Sequence, residues 1–203
     1  MTSIIKVDTI QDTSGNNIIN ESSNTITIGA SGDTITIPSG ATITNSGTAT
    51  GFGGTTAPYC GAYRNGDQNI SDATWTKIQF NTEFVDSANA FDSSTNYRFT
   101  PQTSGHYFVA LNVGIGNTAD NSIDDVRCRV YKNGAEITGV QARRDWDANA
   151  EGLNYVDQIN TSTMVQLNGS SDYIEGFVYV NVTSGTPRVE SGQTSIHIFK
   201  MTE

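Results

Sequence analysis

The stretch Asp145-Trp146-Asp147-Ala148-Asn149-Ala150-Glu151-Gly152 is where the chain comes nearest to chemistry. Its oxygen-bearing side chains, Asp145, Asp147, Asn149 and Glu151, alternate. On a looped backbone such donors can converge on Ca²⁺, a hard cation that takes oxygen ligands. A calcium loop of the helix-loop-helix kind also needs Gly at its sixth position and a bidentate Glu at its twelfth. Ala150 and Val156 stand there instead. The stretch therefore reads as a polar loop between strands. No cofactor is expected, and these four residues are the candidate ligands should calcium bind. Trp146, next to Arg144 and flanked by carboxylates, suits stacking on a sugar ring or anchoring an interface. It could equally tuck under the loop. Arg144 and Trp146 form the candidate ligand surface.

Other catalytic patterns are missing. There is no Gly-x-Ser-x-Gly, no phosphate-binding glycine loop and no zinc spacing. His106 and His197, the two histidines, each sit inside an apolar strand pattern and read as ordinary strand residues. Asp124-Asp125 is a carboxylate pair, but adjacent strand residues point to opposite faces, so the pair reads as a solvated turn. A glycan hydrolase would need two carboxylates about 5 to 9.5 Å apart in a groove. The expectation is that the chain is not an enzyme.

Composition narrows the partners. The 203 residues carry a net charge of -10, and only 16% are charged. Arg143-Arg144 is the one basic pair, and Asp145 and Asp147 follow it. Phosphate contacts need clustered Lys and Arg, so nucleic acid is an unsuitable partner. No apolar run approaches the roughly 20 residues that span a bilayer, so no membrane insertion is expected. The opening Met1 to Asp8 lacks the basic and long apolar regions of a secretory signal. Cys60 and Cys128 are too few for a disulfide framework and read as two buried thiols, with a single bridge between them as the alternative.

The elements that would position these residues fall into three parts. Asn24-Thr-Ile-Thr-Ile28, Asp33-Thr-Ile-Thr-Ile37 and Ala41-Thr-Ile-Thr44 repeat one pattern between Gly- and Pro-containing turns. Polar and apolar side chains alternate, so each copy is expected to be a short β-strand. Residues 1–51 contain no aromatic side chain, and a copy that buries so little must stack on others. Ile26, Ile28, Ile35, Ile37 and Ile43 are therefore expected in the core of a trimeric β-stalk. The chain changes character at Gly51-Phe-Gly-Gly-Thr-Thr-Ala-Pro58, a turn-rich hinge. The expected domains are a docking segment over 1–20, a stalk and hinge over 21–57, and a head over 58–203.

The head offers about ten strand-like runs and no helical periodicity. In Val126 to Tyr131 apolar residues alternate with Arg127, Arg129 and Tyr131, so one face is core and the other wet. Lys132-Asn133-Gly134 supplies the turn of a hairpin. Leu153 to Ile159 and Ser162 to Leu167 read as two separate strands. The expected fold is all-β, a jelly-roll β-sandwich on a β-stalk.

Phe99-Thr-Pro101-Gln-Thr-Ser-Gly105-His-Tyr107-Phe-Val109 resembles the F-x-P-x-x-x-G-x-Y-x-V segment of the complement-type globular head, a relative of the tumour-necrosis-factor jelly roll. Trp75 to Phe80 with Phe91-Asp92 resembles that family's early strands. Val130-Tyr-Lys-Asn-Gly134 resembles its central hairpin, and Leu167-Asn-Gly-Ser-Ser-Asp172-Tyr-Ile174 its L-x-x-G-D-x-V turn with extra residues after Gly169. The last strand, Thr194 to Phe199, lacks the usual glycine after an aromatic residue. The resemblance implies a compact trimer on a fibrous stalk, with Phe99, Tyr107 and Val109 pointing inward. No Gly-X-Y period exists, so the stalk is not collagen. The opening Ile4 to Ile18 resembles the N-termini of marine-phage fibre and decoration proteins. That resemblance implies docking on a capsid or tail protein through Ile4, Ile5, Val7, Ile10 and Ile18, with the head outward.

These readings combine into a homotrimeric protein of the virion surface, assembled in the host cytoplasm, whose head binds a host glycan or simply decorates the particle. A fully extended stalk of about 30 residues spans only about 100 Å, which favours a short capsid fibre over a tail fibre. The alternatives are a receptor-binding tail fibre and a secreted carbohydrate-binding module or glycan hydrolase.

Overall fold

The computed structural model describes residues 8–15, 17–29, 31–44, 46–47, 57–145 and 156–202. The chain divides into two units, Met1–Phe52 and Gly53–Glu203. All regular structure among the described residues is β.

In the first unit β1 (Thr9–Gln11), β2 (Asn17–Ser22) and β3 (Thr25–Ile28) form an antiparallel sheet in that order. The β2–β3 turn is tight: Ser23 and Asn24 both take positive φ, 49° and 63°, as a two-residue hairpin requires. Register aligns Ile10 with Ile19 and Ile19 with Ile28, so three isoleucines cross one face. All three are exposed, and Ile26, two residues from Ile28, is 68% exposed. Only the first threonine-isoleucine copy is a paired strand. The expectation of strands at 33–37 and 41–44 is not met: neither stretch is assigned to a strand. A strand exists by its ladder, and β2 already pairs on both sides.

The second unit contains β4 (Tyr59–Tyr63), β5 (Gln68–Asn69), β6 (Thr76–Lys77), β7 (Thr82–Asp86), β8 (Phe91–Asp92), β9 (Arg98–Phe99), β10 (Ser104–Asn117), β11 (Ile123–Lys132), β12 (Ala135–Asp145), β13 (Val156–Asn168), β14 (Ile174–Val182), β15 (Pro187–Val189) and β16 (Ser195–Thr202). One sheet runs β5-β15-β10-β16-β4-β7, with β13 also on β10. The other runs β12-β11-β14-β9-β8, with β6 also on β14. The chain changes sheet eight times, at β5–β6, β6–β7, β7–β8, β9–β10, β10–β11, β12–β13, β13–β14 and β14–β15. This crossing is that of a jelly-roll sandwich.

Period-two alternation builds the core. Tyr107, Val109, Leu111, Val113 and Ile115 of β10 face Val126, Cys128 and Val130 of β11 and Val178 and Val180 of β14 in one buried cluster. Cys60 and Cys128 are both free and buried. Burial, with the nearby charges of Asp86 and Glu83, pushes the Cys60 thiol up to about 12, and burial pushes Cys128 up to about 12.

The stretch from Phe99 to Val109 is a packed corner. Phe99 and Tyr107 lie ring to ring at 5.7 Å. The Tyr107 hydroxyl donates to the Thr103 carbonyl at 2.8 Å, so the buried ring keeps its polar tip satisfied. Phe99, Tyr107 and Val109 are all buried, as the motif implied. The hairpin at Asn133 and Gly134 also forms as expected, with φ of 55° and 75°.

Some boundaries differ. One strand, β13, replaces two, because Asn160 and Thr161 stay in register with Asn112 and Leu111 of β10. Tertiary pairing overrides the break that Asn suggests. Of Thr74 to Phe80 only Thr76–Lys77 pairs. The strands at 68–69, 82–86 and 187–189 carry no clear local signal.

The extra residues after Gly169 form a capped turn. The Asn168 Oδ1 accepts from the N–H groups of Ser170, Ser171 and Asp172, each at 3.0 Å. Gly169 itself has φ +74°, and a Cβ there would lie 2.2 Å from the Ser104 nitrogen. Gly169→Ala should therefore destabilise the head by about 2–4 kcal/mol, read as a lowered urea midpoint. An unchanged midpoint would show that the turn is not held against β10.

Candidate functional site

The two outward faces of the sandwich differ in chemistry. On the second sheet, β11 and β12 place Arg127 opposite Arg143 and Arg129 opposite Gln141, while β14 places Tyr179 and Phe177 beside them. Asp124-Asp125 is not the solvated turn the sequence suggested. Asp125 lies within β11 and is only 6% exposed. Its carboxylate accepts from Arg127 Nε at 2.8 Å and Arg143 Nε at 3.2 Å. Burial alone would raise this carboxyl, but hydrogen bonds and charge from Arg127 and Arg143 outweigh it and hold the group below its ordinary range. The same contact raises Arg127.

The rest of this face is similarly paired. The Arg127 guanidinium lies 5.0 Å from the Tyr179 ring and Arg129 lies 4.6 Å from Trp75. Arg129 also pairs with Glu136 and donates to Gln141 at 2.7 Å. Lys77 meets Glu175 at 2.8 Å. Long charged side chains thus lie over the aromatic rings and neutralise one another.

The first sheet presents the opposite. Its register builds three outward rows. Met164, Phe108, Phe199 and Tyr59 form one; Ser162, Ala110, His197, Gly61 and Val85 a second; Asn160, Asn112, Ser195, Tyr63 and Thr82 a third. None of these positions is Asp, Glu, Lys or Arg, in a chain of net charge -10. Met164 is 66% exposed, Phe84 56%, and Phe199, Met201 and Tyr59 are also exposed. Phe84 stacks between Tyr63 at 4.7 Å and His197 at 5.5 Å. Hollows of about 350 and 360 Å³ flank it. An exposed apolar patch of this kind marks an interaction surface more often than idle surface.

The expected site residues are scattered. Trp146, Asp147, Asn149 and Glu151 lie outside the described residues, as do Ile4, Ile5 and Val7. Asp145 ends β12 and pairs with Arg143 at 2.7 Å. Arg144 is exposed, stands across from Val126, and is itself engaged. Ile10 and Ile18 are exposed. By register Ile19, not Ile18, shares a face with Ile10 and Ile28. His106 and His197 are exposed strand residues. The perturbed carboxyls, Asp92, Asp125 and Asp172, are all pushed down, each by hydrogen bonding. A general acid needs the reverse.

The apolar face was not anticipated, although a signal for it exists. Ile198-Phe199 and Tyr107-Phe-Val109 are apolar at successive positions. A strand of that kind is covered on both faces.

No family model matches the chain. It is 32% identical over 117 residues, 57% of its length, to the uncharacterised protein YqcC of Bacillus subtilis (strain 168), and it spans 30% of that protein. Among solved structures it is similar to the Eiger TNF of S. frugiperda at 12% identity and a TM-score of 0.47, covering 72% of this chain and 92% of that one.

The ion cluster yields a pH prediction. Asp125 has a depressed folded pKa, so its stabilisation is complete above the unfolded value of about 3.9 and is lost as pH falls through the folded one. Asp125→Asn should cost about 2 kcal/mol at pH 7 by leaving Arg127 without its carboxylate and Arg143 with Asp145 alone. The gap in melting temperature between variant and native protein should narrow as pH drops below about 4. A gap constant from pH 7 to pH 3 would refute the assignment.

Proposed function

We propose that this chain is a homotrimeric, non-enzymatic structural protein, a short fibre or decoration protein of a phage particle. The observation that carries the reading is the outer face of the first sheet across β13, β10, β16, β4 and β7, whose three rows hold no charged residue and expose Met164, Phe199 and Tyr59. A second copy is the occupant that suits it. Identical copies of a chain with net charge -10 repel one another over most of their surfaces. They meet without that penalty only on a face lacking charge. Phe84, Phe199 and Met164 supply the apolar area and the hollows beside Phe84 supply relief.

The first unit supports the same reading. The isoleucine row Ile10, Ile19 and Ile28 is exposed, and Ile35, Ile37 and Ile43 lie on backbone without a ladder. Three chains winding together would bury these side chains and give the unpaired copies partners. A head and stalk that both need copies of themselves make a fibre. The phage setting rests on the likeness of Ile4 to Ile18 and of the repeats to fibre proteins. In that setting the N-terminal segment docks on a capsid or tail protein and the head faces outward from the virion surface.

Light scattering at micromolar concentration tests the core of the proposal. A mass three times 21.7 kDa is expected. Phe199→Glu with Met164→Glu should give a folded monomeric head, because both positions are exposed in one chain and a charge buried without a partner is costly. A native monomer would overturn the trimer. A trimer untouched by both glutamates would move the interface elsewhere.

A further inference from the structure

A cleft of about 440 Å³ opens where the β8 and β9 loops meet the turn after β13. Asp92, Asn96, Arg98, Thr100, Gln102 and Ser170 are among its polar lining. Two carboxylates preform it, Asp92 within the lining and Asp86 outside it. Asp86 accepts from the N–H groups of Ala90 at 2.6 Å and Phe91 at 2.7 Å. Asp92 accepts from those of Ser94 at 3.0 Å, Thr95 at 2.9 Å and Asn96 at 3.1 Å, and from the Asn96 amide at 2.7 Å. Lys77 then ties down the Asn96 carbonyl at 3.0 Å. Held this way, Asn89 and Tyr97 both sit at φ 51°. That conformation is costly for a tyrosine and persists only where the surroundings impose it.

Arg98 is the cation of this cleft. Its guanidinium lies 4.3 Å from the centre of the Tyr173 ring, which fixes the plane of its donor fork. Arg127, Arg129, Arg143 and Arg188 each meet a carboxylate. Among the described residues Arg98 meets none. Asp92, its neighbour across β8 and β9, has its oxygens occupied by the five donors of its own turn, the Ser94 hydroxyl included. Those hydrogen bonds hold it in the charged form and engage its oxygens within its own turn.

The remaining lining suits hydroxyl groups. Gln102 donates its amide nitrogen to the carbonyls of Ala88 at 2.9 Å and Asn89 at 3.3 Å. Its amide oxygen stays without a partner among the described residues. Asn96 likewise spends its amide nitrogen on Asp92. Acceptors of this kind, with the Thr100 and Ser170 hydroxyls, match sugar hydroxyls, and a planar donor fork matches a carboxylate. A preformed concave site with few convergent polar groups is what a small ligand needs.

We infer that this cleft binds an acidic saccharide, with the Arg98 guanidinium holding the sugar carboxylate and the Asn96 and Gln102 amide oxygens accepting from its hydroxyls. Every group belongs to one chain, so the site does not depend on how copies assemble.

The test uses the full chain and calorimetric titration with digalacturonate, sialyllactose and neutral galactobiose as probes. At least one of the two carboxylate sugars should bind about tenfold or more tighter than galactobiose, the smaller end of what a charge-assisted pair contributes. Arg98→Gln should erase that preference with little change in melting temperature. Ser170→Trp, on an exposed turn, should block all binding by filling the cleft. Binding of neither acidic sugar, equal binding of galactobiose, or full binding by Arg98→Gln would each overturn the inference. None of these outcomes bears on the mass of the assembly.

Discussion

A strand has two faces, and a two-layer sandwich can bury only one face of each strand within itself. This geometric constraint governs the rest of the molecule. The inward faces are uniform: branched aliphatics, two thiols and a few rings fill one cluster. The outward faces must be settled by other means, and the two sheets settle them differently. On the second sheet arginines and carboxylates lie across aromatic rings and complete one another. On the first sheet methionine, phenylalanine and histidine stand without any charged neighbour in their rows. The first solution pairs its groups within one chain, and the second leaves apolar side chains exposed on it.

Strand β10 joins these solutions. It pairs with β13 on one side and with β16 and then β15 on the other. Its inward residues are the centre of the core and its outward Phe108 lies 5.2 Å from Phe199 in the apolar face. A slip by one residue would exchange those two sets. Register is held against such a slip at the start of the strand, where Tyr107 ties back to Thr103 and Gly169 lies against Ser104. The corner that reads as a motif in the sequence thus sets which face of the sheet is core and which is surface.

Legibility followed the range of the interaction. Local chemistry was readable: the Asn133-Gly134 turn, the Pro101 and Gly105 corner, the alternation of Val126, Cys128 and Val130, and two cysteines behaving as buried hydrophobes. Features created by distant pairing were not. Asp125 looks like half of an acidic turn until β12 brings Arg143 across from Arg127. Asn160 looks like a break until Asn112 is found opposite. The threonine-isoleucine copies look identical, yet only the copy next to β2 gains a ladder. The Arg98 cleft is of the same kind. Gln102 and Ser170 are 68 positions apart in the chain, and no spacing rule joins them.

The two units share one deficiency by different routes. The head has a full core and an apolar face left over. Among its described residues the N-terminal unit has isoleucines and no buried core: even its three-stranded sheet leaves Ile10, Ile19 and Ile28 in water. A hairpin-sized sheet is marginal alone, and threonine-isoleucine repeats contribute little apolar area per residue. In the trimer proposed above, their stability comes from repetition across chains, since along this chain the pattern ends after its third copy. On that proposal the head is the element that brings chains together, since its face is preformed and loses little conformational entropy on docking. Once heads are joined, the repeats meet at high effective concentration, and weak strand pairing suffices. A stalk too poor in core to nucleate itself is in this way compatible with an ordered fibre.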